Sequence, residues 1–192
     1  MNLAAFGAYS ADSFPIINTL DEIVPLPKAG PIMRLDAAWI DEILRLQDEA
    51  SDGQTIMRDR AYMEKFFEGN DVIFGVTDET GRLVAQATTK MNVTLPDILK
   101  NQFNVASGAS HHAIIGCVTV HPDCRGQGLM GKLIQVCLNE ARAQGNNDIH
   151  ARVKLGNDAS KQNFVKRGFD VIATGHSPED KSRTVDFLHL KM

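Results

Sequence analysis

The run Val118–Lys132 reads VTVHPDCRGQGLMGK, and its residue types suit the binding of phosphate. An apolar, β-branched stretch leads into a glycine-rich bend and then into a segment with helical spacing. Glycine lets a ligand approach the backbone closely because no Cβ stands in the way. The first turn of a helix leaves N–H groups without intrahelical acceptors, at the positive end of the helix dipole. Together these make a site for anionic oxygens. Arg125 adds a cation that a plain strand-to-helix corner, packed with small residues, would not need.

Three phosphate-binding patterns overlap on this run. Gly126, Gly128 and Gly131 fit G-x-G-x-x-G. That dinucleotide fingerprint starts at the end of its strand and is followed by an acidic ribose ligand. Here His121 to Arg125 intervene, and too little chain follows for a full dinucleotide fold. Gly126, Gly131 and Lys132 fit G-x-x-x-x-G-K, but Leu133 stands where Ser or Thr should hold Mg²⁺. The third pattern, V-x-P-x-x-(R/Q)-G-x-G-x-(G/A), uses more residues. Val120, Pro122, Arg125, Gly126 and Gly128 fill it, with Met130 at the last position. A second, distant pattern, N-x-x-A-x-x-L-Y-x-K-x-G-F, is met at Asn157, Phe164, Lys166, Gly168 and Phe169.

On these two motifs the chain resembles the GNAT superfamily, the acetyl-CoA-dependent N-acetyltransferases, over about Pro31 to Met192. The resemblance implies a GNAT-like fold in which the sheet splays beside its central strand and the pantetheine arm lies in the gap. It assigns that edge to Val118, Thr119 and Val120. It assigns the pyrophosphate to the N–H groups of Arg125, Gly126, Gln127, Gly128, Leu129 and Met130, and the pantetheine side to Asn157. Asn157 can equally cap a helix, and the two roles can coexist. The implied reaction is direct attack of a primary amine on the acetyl thioester. The amine acceptor, small-molecule or peptide, is left open.

Such a reaction needs a base for the ammonium proton, donors at the thioester oxygen and an acid for the leaving thiolate. The tyrosine that the family uses as acid is replaced by Phe164, which reads as core packing. Family bases often sit at positions corresponding to Ile114 or Gly116, and neither can accept a proton. His112 falls on the same strand face and titrates near neutrality, so it is the candidate base, with a solvated strand end as the alternative. These departures feed a second function class: a GNAT-fold domain that binds acyl-CoA as a sensor or scaffold with little transfer. Lys161, Lys166 and Arg167 could meet the phosphorylated adenosine end or form a solvated helix face.

The elements that must position these residues follow from spacing and breakers. Pro31 to Leu35 is a short strand, and Asp36 can cap the helix carrying Trp39, Ile40, Ile43 and Leu44. A second helix runs from Arg58 to Glu68. Val72–Val76 and Leu83–Thr89 form a hairpin about Asp78–Gly81. Ala113–Val120 is apolar on both faces, as a central buried strand is. Leu129–Ala143 is a helix, Ile149–Lys154 a strand and Asp158–Arg167 a helix. Val171–Ala173 and Val185–Leu190 close the chain. The order β-α-α-β-β-β-α-β-α-β-β predicts a mixed α/β fold, with a central sheet of about six to seven strands flanked by helices. Residues 1–30 form an irregular, proline-punctuated arm, apolar enough to pack on the body or on a partner subunit of a homodimer; residues 31–192 form the catalytic domain. Thr94–His111 is a long, apolar loop, and loops of this kind are usually functional. This loop and His176–Ser182 are candidate walls of the acceptor pocket.

Composition sets the outer bounds. The 192 residues are 43% hydrophobic and 23% charged, which suits a folded domain. A net charge of −4 argues against a broad nucleic-acid surface. No apolar run is long enough to span a bilayer, and MNLAAFGAYSADSF lacks a basic leader pattern. Cys117, Cys124 and Cys137 form no C-x-x-C pair, so neither a disulfide framework nor a metal site is expected, and a cytoplasmic setting is. Cys117 and Cys137 sit in apolar runs and read as core.

Overall fold

A computed structural model describes residues 29–53, 57–93 and 111–192. The arm expected over residues 1–30 lies outside them except for Ala29 and Gly30, which lengthen the first strand. The loop expected at 94–111 lies outside them except for His111.

Seven strands form one sheet. They are β1 (Ala29–Leu35), β2 (Val72–Asp78), β3 (Leu83–Lys90), β4 (His112–Val120), β5 (Asp148–Lys154), β6 (Asp170–His176) and β7 (Thr184–Lys191). Their order across the sheet is β1-β2-β3-β4-β5-β7-β6. Neighbours are antiparallel except β4 and β5, which run parallel. A parallel pair needs a crossover, and the helix expected at Leu129–Ala143 supplies it. The expected α/β class and element order are thus met. The last two strands are longer than their apolar runs, because Thr174 and His176 continue the ladder against Asp186 and Thr184.

Four α-helices cover the described sheet: α1 (Ile40–Glu49), α2 (Arg60–Phe67), α3 (Leu129–Ala143) and α4 (Asp158–Val165). Asp36 caps a single 3-10 turn, Ala37–Trp39, that leads into α1. Asp59 caps α2 by accepting from the Tyr62 amide at 2.8 Å. Burial then sorts the helices between the two faces. Ile43 and Leu46 of α1 and Met63 and Phe66 of α2 pack with Leu35, Ile73 and Leu83. Leu133, Ile134, Cys137 and Leu138 of α3 pack on the opposite face with Val72, Phe74, Ile115, Ile149 and Ala151. Alternation along each strand makes this division possible. Arg45 and Glu42 of α1 clamp the start of β3: Arg45 donates to the Leu83 carbonyl at 2.7 Å, and Glu42 accepts from its amide at 3.0 Å.

Candidate active site

Strands β4 and β5 pair only from His112 opposite Asp148 to Ile115 opposite Ala151. Beyond that point they part. On the other edge of β4, Thr88 pairs with Gly116 and Gln86 with Thr119, so β4 carries one residue more than β3 over this stretch. That extra residue is a bulge. It falls at Cys117, which has a left-handed φ of 45°. The bulge adds twist where the strands diverge, and the β5-facing edge of Gly116–Val120 is left with no strand partner among the described residues.

A cavity of about 380 Å³ passes through this opening from one face of the sheet to the other. Val118, Thr119 and Val120 line it along β4. On the α3–α4 side it is lined by Arg125, Gly126, Leu129 and Met130, with Asn157 and Phe164 opposite. Gln127 and Gly128 complete the bend without lining the cavity. Gly126 and Gly128 have φ of 81° and 71°, and a Cβ on either would enter open space. The first bond of α3 runs from the Lys132 amide to the Gly128 carbonyl. The amides of Leu129, Met130 and Gly131 precede it and have no intrahelical acceptor.

Several expected site residues take different places. The Arg125 amide is occupied: it donates to the Pro122 carbonyl at 3.1 Å, closing the 3-10 turn Pro122–Cys124. The Arg125 guanidinium turns back to Asp52 at 3.2 Å. Gly131 lies against the Arg167 guanidinium, which a Cβ there would displace. Arg167 is committed to that contact and to the Asn163 carbonyl, and Lys161 to Asp186 at 2.9 Å. Asn157 caps α4 by accepting from the Ser160 amide at 3.1 Å, and it also lines the cavity. Phe164 is buried edge-to-face on Phe169, with 5.2 Å between ring centroids.

His112 does not line the cavity. It is neither a solvated strand end nor beside the opening, but buried at the closed end of the β4–β5 pair. Its Nδ1 is 3.2 Å from Nε2 of His150, and the His150 ring stacks on His189. Burial holds the His112 imidazole below its ordinary pKa. Cys117 corrects the expectation of a core thiol. The bulge leaves it half-buried on the cavity wall, whereas Cys124 and Cys137 are buried.

The α1–α2 face of the opening was not visible in the motifs. It carries Arg58, Tyr62, Arg152, Glu179 and Arg183. Arg152 alternates with Ala151 and Val153, which belong to the α3 core, so it projects to the other face. Glu179 accepts from Arg58 through one oxygen and from Arg152, at 2.8 Å, through the other. Burial works against the Glu179 charge, but the Arg152 charge and the two hydrogen bonds outweigh it and hold the carboxyl below its usual range. Burial likewise opposes the Arg58 charge and is outweighed by Glu179 and the neighbouring Cys117. The usable signal in the sequence was the alternation in HARVK, which puts Arg152 and Lys154 opposite the face covered by α3.

Residues 40–169 match the family model described as the Acetyltransferase (GNAT) family. The chain belongs to this family. It is an acyltransferase by that membership, and the resemblance read from the glycine bend is met. The fold agrees with solved structures at low identity. A ribosomal-protein-alanine N-acetyltransferase from Brucella melitensis superimposes with a TM-score of 0.67 at 18% identity, covering 85% of this chain and 100% of that one. The ribosomal-protein-S18-alanine N-acetyltransferase from Escherichia coli gives 0.65 at 16%, over 85% and 94%. The acetyltransferase yncA from Salmonella typhimurium, solved with its cofactor acetyl-CoA, gives 0.62 at 20%, over 84% and 92%. No curated protein matches the sequence significantly.

Proposed function

We propose that this GNAT protein transfers the acetyl group of acetyl-CoA to a primary amine by direct attack, with the reaction seated where β4 and β5 part. One observation carries the reading: a cavity traverses the sheet at Gly116–Val120, between a glycine bend that opens a helix and a separate polar wall. The residues fit coenzyme A. The open space before Gly126 and Gly128 admits a diphosphate against the backbone, and the amides of Leu129 to Gly131 are donors aimed along a helix N-terminus. The free edge of Val118–Val120 suits an extended amide-bearing arm, and Asn157 stands beside it.

Acetyl-CoA supplies an acetyl group already activated as a thioester. The chain's own work is to hold that group against an amine and to exclude bulk water. Backbone donors along Gly116–Val120 are placed to polarise a carbonyl at the opening. Phe164 has no proton to give, so the departing thiolate takes its proton from solvent. His112 is outside the opening, and Glu179 is held ionised by two arginines, which makes it a weak base. The amine would therefore have to shed its ammonium proton before attack, and the N–H proton displaced on amide formation afterwards, to water rather than to a side chain.

The reading is tested by mixing acetyl-CoA with a panel of amines and following free thiol. Amine-dependent thiol release with an acetylated product supports it. Coenzyme A binding by calorimetry without amine-dependent release overturns transfer and leaves binding alone.

A further inference from the structure

The two sides of the opening differ in charge. The side formed by the glycine bend, Asn157 and α4 suits the coenzyme. The opposite side, under α1 and α2, gathers Arg58, Lys90, Arg152 and Arg183 against Glu179. Both Glu179 oxygens are engaged, one by Arg58 and the other by Arg152, which neutralise its charge. Among the described residues the carboxylates near this wall are engaged, Glu179 by Arg58 and Arg152, Asp180 by Arg183 and Asp52 by Arg125, so an incoming cation would find its counter-charges taken. An anion would meet donors that lack acceptors. Arg58 Nε and Arg183 Nη1 are both buried and hydrogen-bond nothing. A buried N–H without an acceptor is costly, and both belong to residues that line the cavity, so a small rotation of either guanidinium toward a bound anion would satisfy them.

We propose that this wall is an oxyanion subsite and that the acceptor is a small amine carrying its own carboxylate or phosphonate, seated against Arg183 and Arg58 while the amine points to the β4 opening. The inference rests on the transferase reading and narrows its substrate class. Size agrees, because a cavity of about 380 Å³ must also admit the thioester end. Arginine suits the task, since its planar fork meets two oxygens of one anion. Arg183 also holds Asp180 at 3.1 Å through Nε, while its Nη1 has no protein acceptor among the described residues.

The test compares matched amines on the full-length protein. The common α-amino acids are offered as free acids and as their amides, 2-aminoethylphosphonate beside ethylamine, and a diamine as the cationic control. Acids or the phosphonate should exceed their neutral partners by about tenfold or more in kcat/KM, as loss of one charge-assisted contact implies. Arg183→Gln should erase that preference through KM, with kcat little changed, and Arg183→Lys should restore part of it. A preference for amides or the diamine, or an unchanged ratio in Arg183→Gln, overturns the subsite. Should no amine release thiol, the transferase reading falls, and binding decides the subsite by itself. With coenzyme A present, melting temperatures raised by the acids and not the amides, and no longer raised in Arg183→Gln, still establish it. Equal shifts for acid and amide refute it.

Discussion

His112 Nδ1 stands 3.2 Å from His150 Nε2 at the closed end of the β4–β5 pair, away from the opening. One nitrogen must donate and the other accept, so the pair is held together by neutral rings. Burial is the largest cause pushing both imidazoles down, and it takes His150 to about 3. His189 adds its repulsion to each and binds Asp148 at 2.9 Å. This group locks the strands together at the closed end of their pairing, away from the opening, which is a structural task.

The lock makes stability depend on pH. His150 has an ordinary value of 6.5 when unfolded and about 3 when folded, so between these the unfolded chain binds more protons. The contribution is present above 6.5 and is lost progressively as pH falls toward 3. The melting temperature should therefore drop from pH 7 to pH 5, above the range where ordinary carboxylates titrate. His150→Asn cannot take that proton, so its slope over the same interval should be flatter, whatever its overall stability. An identical slope in the variant would remove His150 as the cause.

The same placement predicts what His112 does not do. His112→Ala should leave the shape of kcat/KM against pH unchanged between pH 6 and 9, while lowering the melting temperature. Removing a buried imidazole that holds a partner costs on the order of 1–3 kcal/mol. Loss of an inflection near neutrality in the variant would return His112 to the reaction.

The divide between what the sequence revealed and what it hid follows from range. The bend and α3 were legible because their determinants are local: glycines at left-handed positions, a proline after the strand and a regular apolar face. Asn157 and Phe164 were legible by offset within one short motif. Cys117 was not, because AIIGCVTV reads as uninterrupted strand and nothing in it announces the extra residue facing Gln86–Thr88. Nor was the arginine-rich wall. Arg58, Arg152, Glu179 and Arg183 are far apart along the chain, and each alone resembles an ordinary surface charge. Only the order β4-β5-β7-β6, with α2 laid over the opening, brings them together. His112 misled because alternation gave its face but not its distance from the opening. It lies four residues before Gly116, about 13 Å along an extended strand.

Gly126→Ala tests the proposed coenzyme cradle. A methyl there enters the open space facing the cavity and must also adopt φ near 81°. The backbone term costs roughly 1–2 kcal/mol. Gly145→Ala is the control, because Gly145 has φ of 78° and equal open space but sits at the far end of α3. Both variants should lose similar melting temperature. Only Gly126→Ala should weaken acetyl-CoA binding in calorimetry, by about tenfold or more for a lost charge-assisted contact. Equal binding by the two would place the diphosphate elsewhere.

Phe164→Tyr tests the missing acid. The Phe164 ring is buried on Phe169 yet borders the cavity, so a para-hydroxyl has a polar space to enter. A positioned general acid contributes about 10²–10⁴-fold in favourable cases. The variant should raise kcat severalfold or more when thiolate departure limits turnover, with KM for acetyl-CoA near the wild-type value. An unchanged kcat would show that departure of the thiolate is not limiting, or that the hydroxyl does not reach the sulfur.

Cys117 offers a chemical probe of the opening itself. Its thiol is half-buried on the cavity wall, while Cys124 and Cys137 are buried and burial pushes their thiols up, Cys137 to about 12. A thiolate is the species that alkylates, so reagent should select Cys117. With limiting iodoacetamide, peptide mass mapping should find Cys117 modified first and the other two only after unfolding. Its neighbours on the strand are the residues that would flank an extended arm in the gap. Saturating acetyl-CoA should therefore slow the reaction by about tenfold, as occlusion of a single site requires. Labelling that starts at Cys124, or a Cys117 rate indifferent to acetyl-CoA, would mean that the bulge does not face the space where the thioester is delivered.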